Sequence, residues 1–267
     1  VSFNPRKPLF NKFGITQGIS DSCSCVSSSY NSLQTKLTKR FSKNSSFLLS
    51  YTWAKALDYG EFGNPTDQHN YKVDYGPADF DRASVFTLGH DYILPFGSGQ
   101  RWLSDAHGVV RQLVEGWQWT GGTMLQSGYP FSPGVNTTSS FLNADQGSRP
   151  DKIGDASVSN PGRDGWFNPA AYALPPPGSV TGVYRFGYAA KNSLRAPGVA
   201  IANWAFFKNF KVTERLNAQF RWENFNFFNR TNLSHFVDSA IDSGSAGKIF
   251  GISEPMRNMQ FALRLSW

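Results

Sequence analysis

Histidine and cysteine are the first residue types in this sequence to test for catalysis or metal binding. The four histidines, His69, His90, His107 and His235, are far apart, and none has the helical spacing of an H-E-x-x-H metal site. Cys23 and Cys25 lie one residue apart in a serine-rich stretch. Such a pair can form a local disulfide in an oxidising compartment, but it cannot complete a zinc site by itself. The oxidation state stays open, and a loop feature is the simpler interpretation.

Carboxylates and serines are the other side chains that could act as metal ligands or nucleophiles. Asp74, Asp79 and Asp81 could offer oxygen ligands to calcium, but the glycine-punctuated loop and distal glutamate of a calcium-binding motif are missing. Serines are plentiful, yet no G-x-S-x-G motif positions one as a nucleophile. Gly97-Ser98-Gly99 lacks the third glycine of a dinucleotide loop. We therefore predict that the chain is not an enzyme and has no metal site and no cofactor.

The positive charge of the chain is dispersed. The formal net charge is +7, which could favour nucleic acid or an anionic membrane surface. Most lysines and arginines occur singly, and the few adjacent pairs, such as Lys39-Arg40, form no basic stripe. We predict no nucleic-acid partner.

Composition favours strands as the elements that position these residues. Aromatic residues make up 15% of the chain and charged residues only 17%, which is typical of β structure rather than of helices. No apolar run reaches the length of about 18 residues that a transmembrane helix needs. A transmembrane β-strand needs only about ten alternating residues, half of them polar. Because the chain begins at Val1 without a signal segment, we expect a fragment or a processed piece.

Hydrophobic residues alternate with a period of two. In the last segment Met259, Phe261, Leu263, Leu265 and Trp267 alternate with polar or small residues. A second segment sets Leu216, Ala218, Phe220 and Trp222 against Asn217, Gln219, Arg221 and Glu223, a polar face that a soluble sandwich could hardly bury. Similar patterns predict about seven strands in all, near residues 33–41, 46–53, 85–94, 116–127, 203–211, 216–223 and 258–267.

The connections between these strands alternate in length. Residues 42–44, 96–100 and 213–215 are short connections, whereas 57–80, 128–202 and 229–256 are long and rich in Gly, Pro, Asn and Asp. Outer-membrane barrels have short periplasmic turns and long extracellular loops. We therefore predict an all-β protein, an antiparallel transmembrane β-barrel part of about seven strands, with its last strand running from the cell exterior to the periplasm.

Several motifs together resemble those of TonB-dependent outer-membrane receptors, with the Oar-like group as the most similar. The resemblance spans about Pro8 to Trp267. The motifs are Ser50–Asp58, Asp79–Arg82 leading to Tyr92–Gly97, Gly116–Trp119 leading to Gln126–Phe131, Trp166–Tyr172, Phe207–Phe210, Arg221–Asn229 and Gln260–Trp267.

The resemblance implies uptake of a ligand through a barrel of about 22 strands that is closed by an N-terminal plug and energised through a TonB box. Residues 1–267 would be the C-terminal portion of that barrel, in the outer membrane of a Gram-negative bacterium, without the plug and the first strands. Seven strands are fewer than the eight of the smallest closed barrel, so this piece should not transport anything alone. The implied partners are outer-membrane lipid, the TonB complex through the missing part, and the barrel-assembly machinery.

Three groups of residues are candidate functional residues. Aromatic residues of the longest loop supply rigid contact area for an unidentified ligand, and these are Trp166, Tyr172, Tyr184 and Tyr188. Gln219, Arg221 and Glu223 are expected to face the barrel lumen. The resemblance implies that the barrel-assembly machinery reads the C-terminal strand, here through Phe261, Leu263, Leu265 and Trp267.

Two other classes of protein remain open. A passive porin-type channel would share the barrel but lack the plug. A secreted β-sandwich, acting as a carbohydrate-binding or adhesion module, would use its exposed aromatic residues on the partner and would dissolve without detergent.

Overall fold

The structure is a computed structural model that describes residues 9–16, 24–41, 45–60, 65–67, 70–136, 149–176 and 185–267. Within these ranges the strands are β1 Ser29–Phe41, β2 Ser45–Asp58, β3 Gly76–Pro77, β4 Ser84–Ile93, β5 Trp117–Gln126, β6 Pro130–Phe131, β7 Asp151–Lys152, β8 Tyr172–Ala173, β9 Leu194–Arg195, β10 Val199–Lys211, β11 Asn217–Phe225 and β12 Asn258–Ser266. The helices are α1 Phe10–Phe13 and α2 Gly108–Val114, with 3₁₀ turns at Tyr71–Asp74 and Pro169–Ala171. Among the described residues, no helix is long and apolar enough to cross a membrane.

Seven long strands form one antiparallel sheet in the order β1-β2-β4-β5-β10-β11-β12, and the short β3 pairs with the end of β2. Long strands that follow one another along the chain are neighbours in the sheet, which gives an up-and-down meander. The prediction of about seven strands is confirmed, and the predicted ranges agree with the observed ones to within a few residues. The sheet is open, because β1 and β12 are its two edges.

The register gives the sheet two chemically different faces. Phe206 is opposite both Trp119 and Trp222, and Trp222 is opposite Phe261, so these four aromatic residues lie on one face. We call this the apolar face; it also carries Leu49, Leu88 and Trp53. The other face, the polar face, carries Gln219 opposite Asn209 and Arg264, and Glu223 opposite Gln260.

Aromatic rings pack side by side across the apolar face. The Trp222 ring stacks on Phe206 at 5.4 Å and on Phe261 at 6.3 Å between centroids. Trp204 lies edge-on to Trp119 at 5.1 Å. Large side chains therefore cover the small residues between them, and Ala202 and Ala218 are buried on this face.

The connections are unequal at the two ends of the sheet. At one end lie residues 42–44 between β1 and β2, residues 94–116 between β4 and β5, and residues 212–216 between β10 and β11. The prediction of a short connection at 96–100 was wrong, because the chain leaves β4 at Ile93 and forms α2 before β5 begins. At the other end all three connections are long.

Candidate functional site

Three long loops meet at one end of the sheet. The first long loop is 59–83, the second is 127–198 and the third is 226–257, and each joins two neighbouring long strands. The loops contain short elements of their own, because β6 pairs with β9 and β7 pairs with β8 inside the second loop. This end therefore carries a folded assembly of loops, which we call the mouth.

Ion pairs connect the second loop to the first loop and to the end of β2. The Lys191 ammonium donates to Asp58, and both side chains are buried. The Arg195 guanidinium donates to Asp81, which also accepts the Ala56 N–H at 2.7 Å. The three aspartates involved, Asp58, Asp74 and Asp81, are buried, so each needs a partner to offset the loss of water.

Asp74 is the most heavily hydrogen-bonded of these carboxylates. It accepts from the Arg149 guanidinium and from the backbone N–H and hydroxyl of Thr66, the latter two at 2.7 and 2.6 Å. Arg149 also donates to the Val73 carbonyl at 2.5 Å. The clustered aspartates therefore bind basic side chains, and the described residues contain no group of acidic, histidine or cysteine side chains arranged to hold a metal ion.

Asn192 makes a fourth connection between the first two loops. Its side-chain amide donates to the Pro77 carbonyl at 2.7 Å and to Asp79 at 2.5 Å. Its φ of 52° is the left-handed conformation that asparagine tolerates better than most residues. The second loop is thereby turned back towards the first at this point.

The second and third loops are joined mainly through backbone hydrogen bonds. The Gly134 N–H donates to Ser239 at 2.9 Å, and the Ile241 N–H donates back to Gly134 at 3.0 Å. Further along, Trp166 donates to Gly247 at 2.8 Å through its backbone N–H. The mouth is thus one connected structure built from all three loops.

A small hydrophobic core lies within the mouth. Its buried members are Ala156, Phe167, Ala171, Tyr172 and Ala189. Val237 and Ile241 of the third loop pack against it, together with Phe131 and Leu194. Burial raises the pKa of the Tyr172 phenol above its ordinary value.

The four aromatic residues predicted to contact ligand have different environments. Tyr172 is only 5% exposed and packs in the core of the mouth, and this packing is its role in the structure. Trp166 is half-buried and its indole N–H donates to the Arg195 carbonyl at 2.6 Å. Tyr188 is 75% exposed, and Tyr184 lies outside the described residues. Ligand contact by any of them stays a prediction.

Tyr188 belongs to a polar cluster with Asp151 and Arg185. The Arg185 guanidinium lies 4.3 Å from the centre of the Tyr188 ring and donates to both carboxylate oxygens of Asp151, at 2.8 and 2.6 Å. The Tyr188 backbone N–H donates to the same carboxylate at 3.0 Å. These hydrogen bonds, that from Arg185 foremost, hold the pKa of Asp151 below its ordinary value.

The predicted lumen residues lie together on the polar face of β11. Gln219 donates to Asn209 at 2.7 Å and accepts from Arg221 at 2.6 Å. Glu223 instead accepts a hydrogen bond from Gln260 of β12. Asp58, the partner of Lys191, is also on this face at the end of β2, so the second loop folds over the polar side of the sheet.

The C-terminal residues form an exposed edge strand. Phe261, Leu263 and Leu265 alternate along β12 on the apolar face, and all three are exposed. Trp267 follows the last strand residue and is 94% exposed. Their reading by the assembly machinery stays a prediction.

The sequence alone missed the basic partners Arg149, Lys191, Arg195 and Arg185. Each is a single charge in a polar loop, with no periodic pattern around it. The only signal was the cluster of aspartates in the first loop. Among the cysteines, Cys25 is disulfide-bonded, whereas Cys23 lies outside the described residues.

Together, these features define a class of protein. An antiparallel meander with one apolar and one polar face, short or moderate connections at one end and long loops at the other, is the architecture of an outer-membrane β-barrel protein. Residues 1–260 match the family model of the outer membrane beta barrel domain, and the chain belongs to this family. Its location is the outer membrane of a Gram-negative bacterium. No curated protein and no solved structure matches the chain.

Proposed function

We propose that this chain is the C-terminal part of the barrel of a TonB-dependent receptor, and that its mouth is the first binding site for the transported ligand. The observation that carries the proposal is the folded mouth, in which ion pairs, backbone hydrogen bonds and a small core join all three long loops. A binding surface whose loops are already ordered loses less entropy when it binds a ligand. Loops held in this way suit selective capture.

The location of the mouth supports the same proposal. The second loop folds over the polar side of the sheet, where Asp58 binds Lys191. A ligand bound by this loop would then be delivered to the polar row of Gln219, Arg221 and Glu223. Side chains of that row offer hydrogen-bond donors and acceptors along the lumen of the complete barrel.

Tyr188 and Trp166 are the aromatic residues best placed to contact a ligand in this proposal. Tyr188 is exposed. Its ring contacts the Arg185 guanidinium, and its backbone N–H donates to Asp151, which also binds Arg185. Trp166 is half-buried and is fixed by its hydrogen bond to Arg195. An aromatic side chain that is both accessible and fixed provides contact area at low entropic cost. Tyr172 supports the mouth from its core.

In this proposal the complete receptor also has further strands, a plug and a TonB box, which are not part of this chain. The outer edges of β1 and β12 pair with no strand among the described residues, and a complete barrel would pair them with further strands. A plug would close the lumen, and a TonB box would connect it to the energy supply at the inner membrane. We further propose that the chain has no enzymatic activity.

A passive porin is the second candidate, favoured by the same barrel and the same polar face. The secreted β-sandwich is less well supported. In a sandwich the apolar face would pack on a second sheet, but in the described ranges only two-stranded sheets accompany the seven-stranded one. Many large side chains of the apolar face are also exposed, among them Leu33, Leu37, Trp53 and Phe261.

Conductance of the full-length protein in a planar lipid bilayer separates receptor from porin. A receptor closed by a plug should give no steady potassium chloride conductance, because the lumen is filled. A steady open channel would overturn the receptor proposal in favour of the porin. In a parallel measurement, the purified periplasmic domain of TonB should bind the full-length protein in detergent, and absence of binding would contradict TonB dependence.

A further inference from the structure

Two basic residues, Lys55 and Arg82, extend the apolar face past Trp53 and Ser84. Trp53 and Ser84 are the last pair between β2 and β4 at this end of the sheet. Trp53 is opposite Ser84, and the Ala54 N–H donates to Ala83 at 3.1 Å. Continued by two residues, this register would place Lys55 opposite Arg82. Lys55 is two residues from Trp53 on β2 and so lies on the same face, and continued alternation from Ser84 would place Arg82 there as well. This is the end of the sheet that bears the mouth.

The row continues on the next strand with Tyr129. Ser84 and Ser127 are joined by the Ser127 N–H donating to Ser84 at 2.9 Å, which sets Arg82 opposite Tyr129. The Arg82 guanidinium lies 3.3 Å from the centre of the Tyr129 ring and donates to the Ser127 carbonyl at 2.6 Å. A guanidinium carries five N–H donors, so Arg82 keeps donors beyond the one that it gives to Ser127.

The third long loop places His235 next to Tyr129, and Phe236 lies beside His235. The His235 ring lies 5.5 Å from Tyr129 and 4.0 Å from Phe236 between centroids. Both His235 and Phe236 are exposed. We call Lys55, Arg82, Tyr129 and His235 the rim row.

Apolar side chains lie next to the rim row, towards the middle of the sheet. Trp53, two residues from Lys55, is 62% exposed. Phe86 and Leu125 are opposite one another on the next two strands, and Leu125 is exposed. In an outer-membrane barrel, a basic row beside such apolar side chains would lie where the polar surface of the bilayer meets its hydrocarbon core.

The charges of Lys55 and Arg82 are available to a partner. Lys55 is exposed and has no ion pair among the described residues, and Arg82 uses one hydrogen bond there, to a carbonyl. The nearest aspartates along the chain, Asp58 and Asp81, are buried and bind Lys191 and Arg195. These carboxylates therefore do not neutralise the rim row.

We propose that the rim row binds the phosphorylated glucosamine headgroup of lipopolysaccharide in the outer leaflet. Lysine and arginine are the side chains that bind phosphate best, and a guanidinium fixed on a ring can donate two N–H groups to it. The acyl chains would then lie along Trp53 and Leu125. Phospholipid phosphate is not the favoured source, because in the proposed orientation the mouth faces the outside of the cell, where lipopolysaccharide occupies the leaflet.

Native mass spectrometry of the full-length protein in mild detergent tests the proposal, with bis-phosphorylated lipid A as the probe. The variants are K55Q and the double variant K55Q/R82Q. The matched control is K39Q, since Lys39 is opposite Phe47 on the same apolar face but at the other end of the sheet. The double variant should bind lipid A about tenfold more weakly, the scale of a lost charge-assisted hydrogen bond. K55Q should show a smaller loss, and K39Q should behave like the parent.

Two further probes distinguish the source of the phosphate. Dephosphorylated lipid A should bind the parent protein as weakly as lipid A binds the double variant, and phosphatidylglycerol should not displace lipid A at equal concentration. Equal lipid A binding by the parent and K55Q/R82Q would overturn the proposal, as would displacement by phosphatidylglycerol. The single variant K55Q keeps the test valid if the double variant misfolds. Lys55 is exposed, so its replacement leaves the barrel packing intact.

Discussion

Lys191 and Asp58 form a buried ion pair although 133 residues separate them in the sequence. Asp58 is the last residue of β2, and Lys191 is near the end of the second long loop. The pair therefore fixes the far end of the longest loop to the rim of the sheet. A charge buried at such a point is destabilising unless its partner is present.

Replacing Lys191 with methionine should release the second loop from the sheet. The change leaves the Asp58 carboxylate buried without its cation, which costs about 3–5 kcal/mol in comparable buried pairs. Limited proteolysis of the full-length protein in outer-membrane vesicles should then cut the second loop much faster than in the parent. The exposed Lys152 in the same loop offers the matched control, K152M, which should digest at the parental rate. Equal digestion of K191M and the parent would show that the pair does not hold the loop.

Replacing Gly128 with alanine should disrupt the start of the second loop. A Cβ at this position would lie 1.7 Å from the Ala196 carbonyl oxygen, so the two backbone segments would have to separate. Gly122, on β5, offers the control G122A, because a Cβ there would only touch the Leu88 oxygen at 3.9 Å. We expect G128A to lower the yield of folded barrel, measured by heat-modifiable migration on gels, and G122A to leave it unchanged. A normal yield for G128A would contradict the close approach of these segments.

Acid should loosen the cluster of Asp151, Arg185 and Tyr188. The hydrogen bond from Arg185 lowers the folded-state pKa of Asp151 below 3.8, the ordinary value. The stabilisation is therefore complete above pH 3.8 and is lost as the pH falls through the lower folded-state pKa. Hydrogen exchange of the Tyr188 amide, corrected for its intrinsic rate, should become less protected in that acidic range. In D151N the same protection should be low at neutral pH and should not fall further on acidification; a parallel acid loss in both proteins would rule out Asp151 as the group.

A charge at the C-terminus should impair barrel assembly if Trp267 is read by the assembly machinery. Trp267 makes no strand pair and is almost fully exposed, so W267D should not disturb packing within the described sheet. We expect several-fold less folded protein in the outer membrane, measured by immunoblot of membrane fractions. S266D, at the neighbouring position on the polar face, should reach the parental level. Parental levels of W267D would show that the assembly machinery does not read Trp267 and that this side chain only faces lipid.

The sheet could be predicted from the sequence because each strand shows an alternating pattern among neighbouring residues. The alternation from Met259 to Leu265 and that from Ala218 to Trp222 each determine which face a residue occupies, and both faces were predicted correctly. The loop lengths then predicted that the long connections lie together at one end of the sheet. Only the connection 94–116 departed from the expected length, since the heptapeptide of α2 shows too weak a pattern to be recognised beside the strands.

The mouth could not be predicted in the same way. Its ion pairs join residues that are far apart, such as Arg149 and Asp74, and nothing in the neighbourhood of either residue encodes the partner. Tyr172 illustrates the same limit, because its sequence neighbourhood gave no sign that it packs against Phe167 in a small core. Long-range pairing in loops depends on the whole fold, whereas strand patterns depend on a few neighbours.

The orientation of the chain in the outer membrane is the claim on which the whole account depends, and single-cysteine labelling of intact cells tests it most directly. In a background where Cys23 and Cys25 are replaced by serine, Y188C reports on the mouth and E214C on the opposite end of the sheet, between β10 and β11. A membrane-impermeant maleimide should label Y188C on intact cells and E214C only after the outer membrane is permeabilised. Labelling of E214C but not Y188C on intact cells would contradict the account.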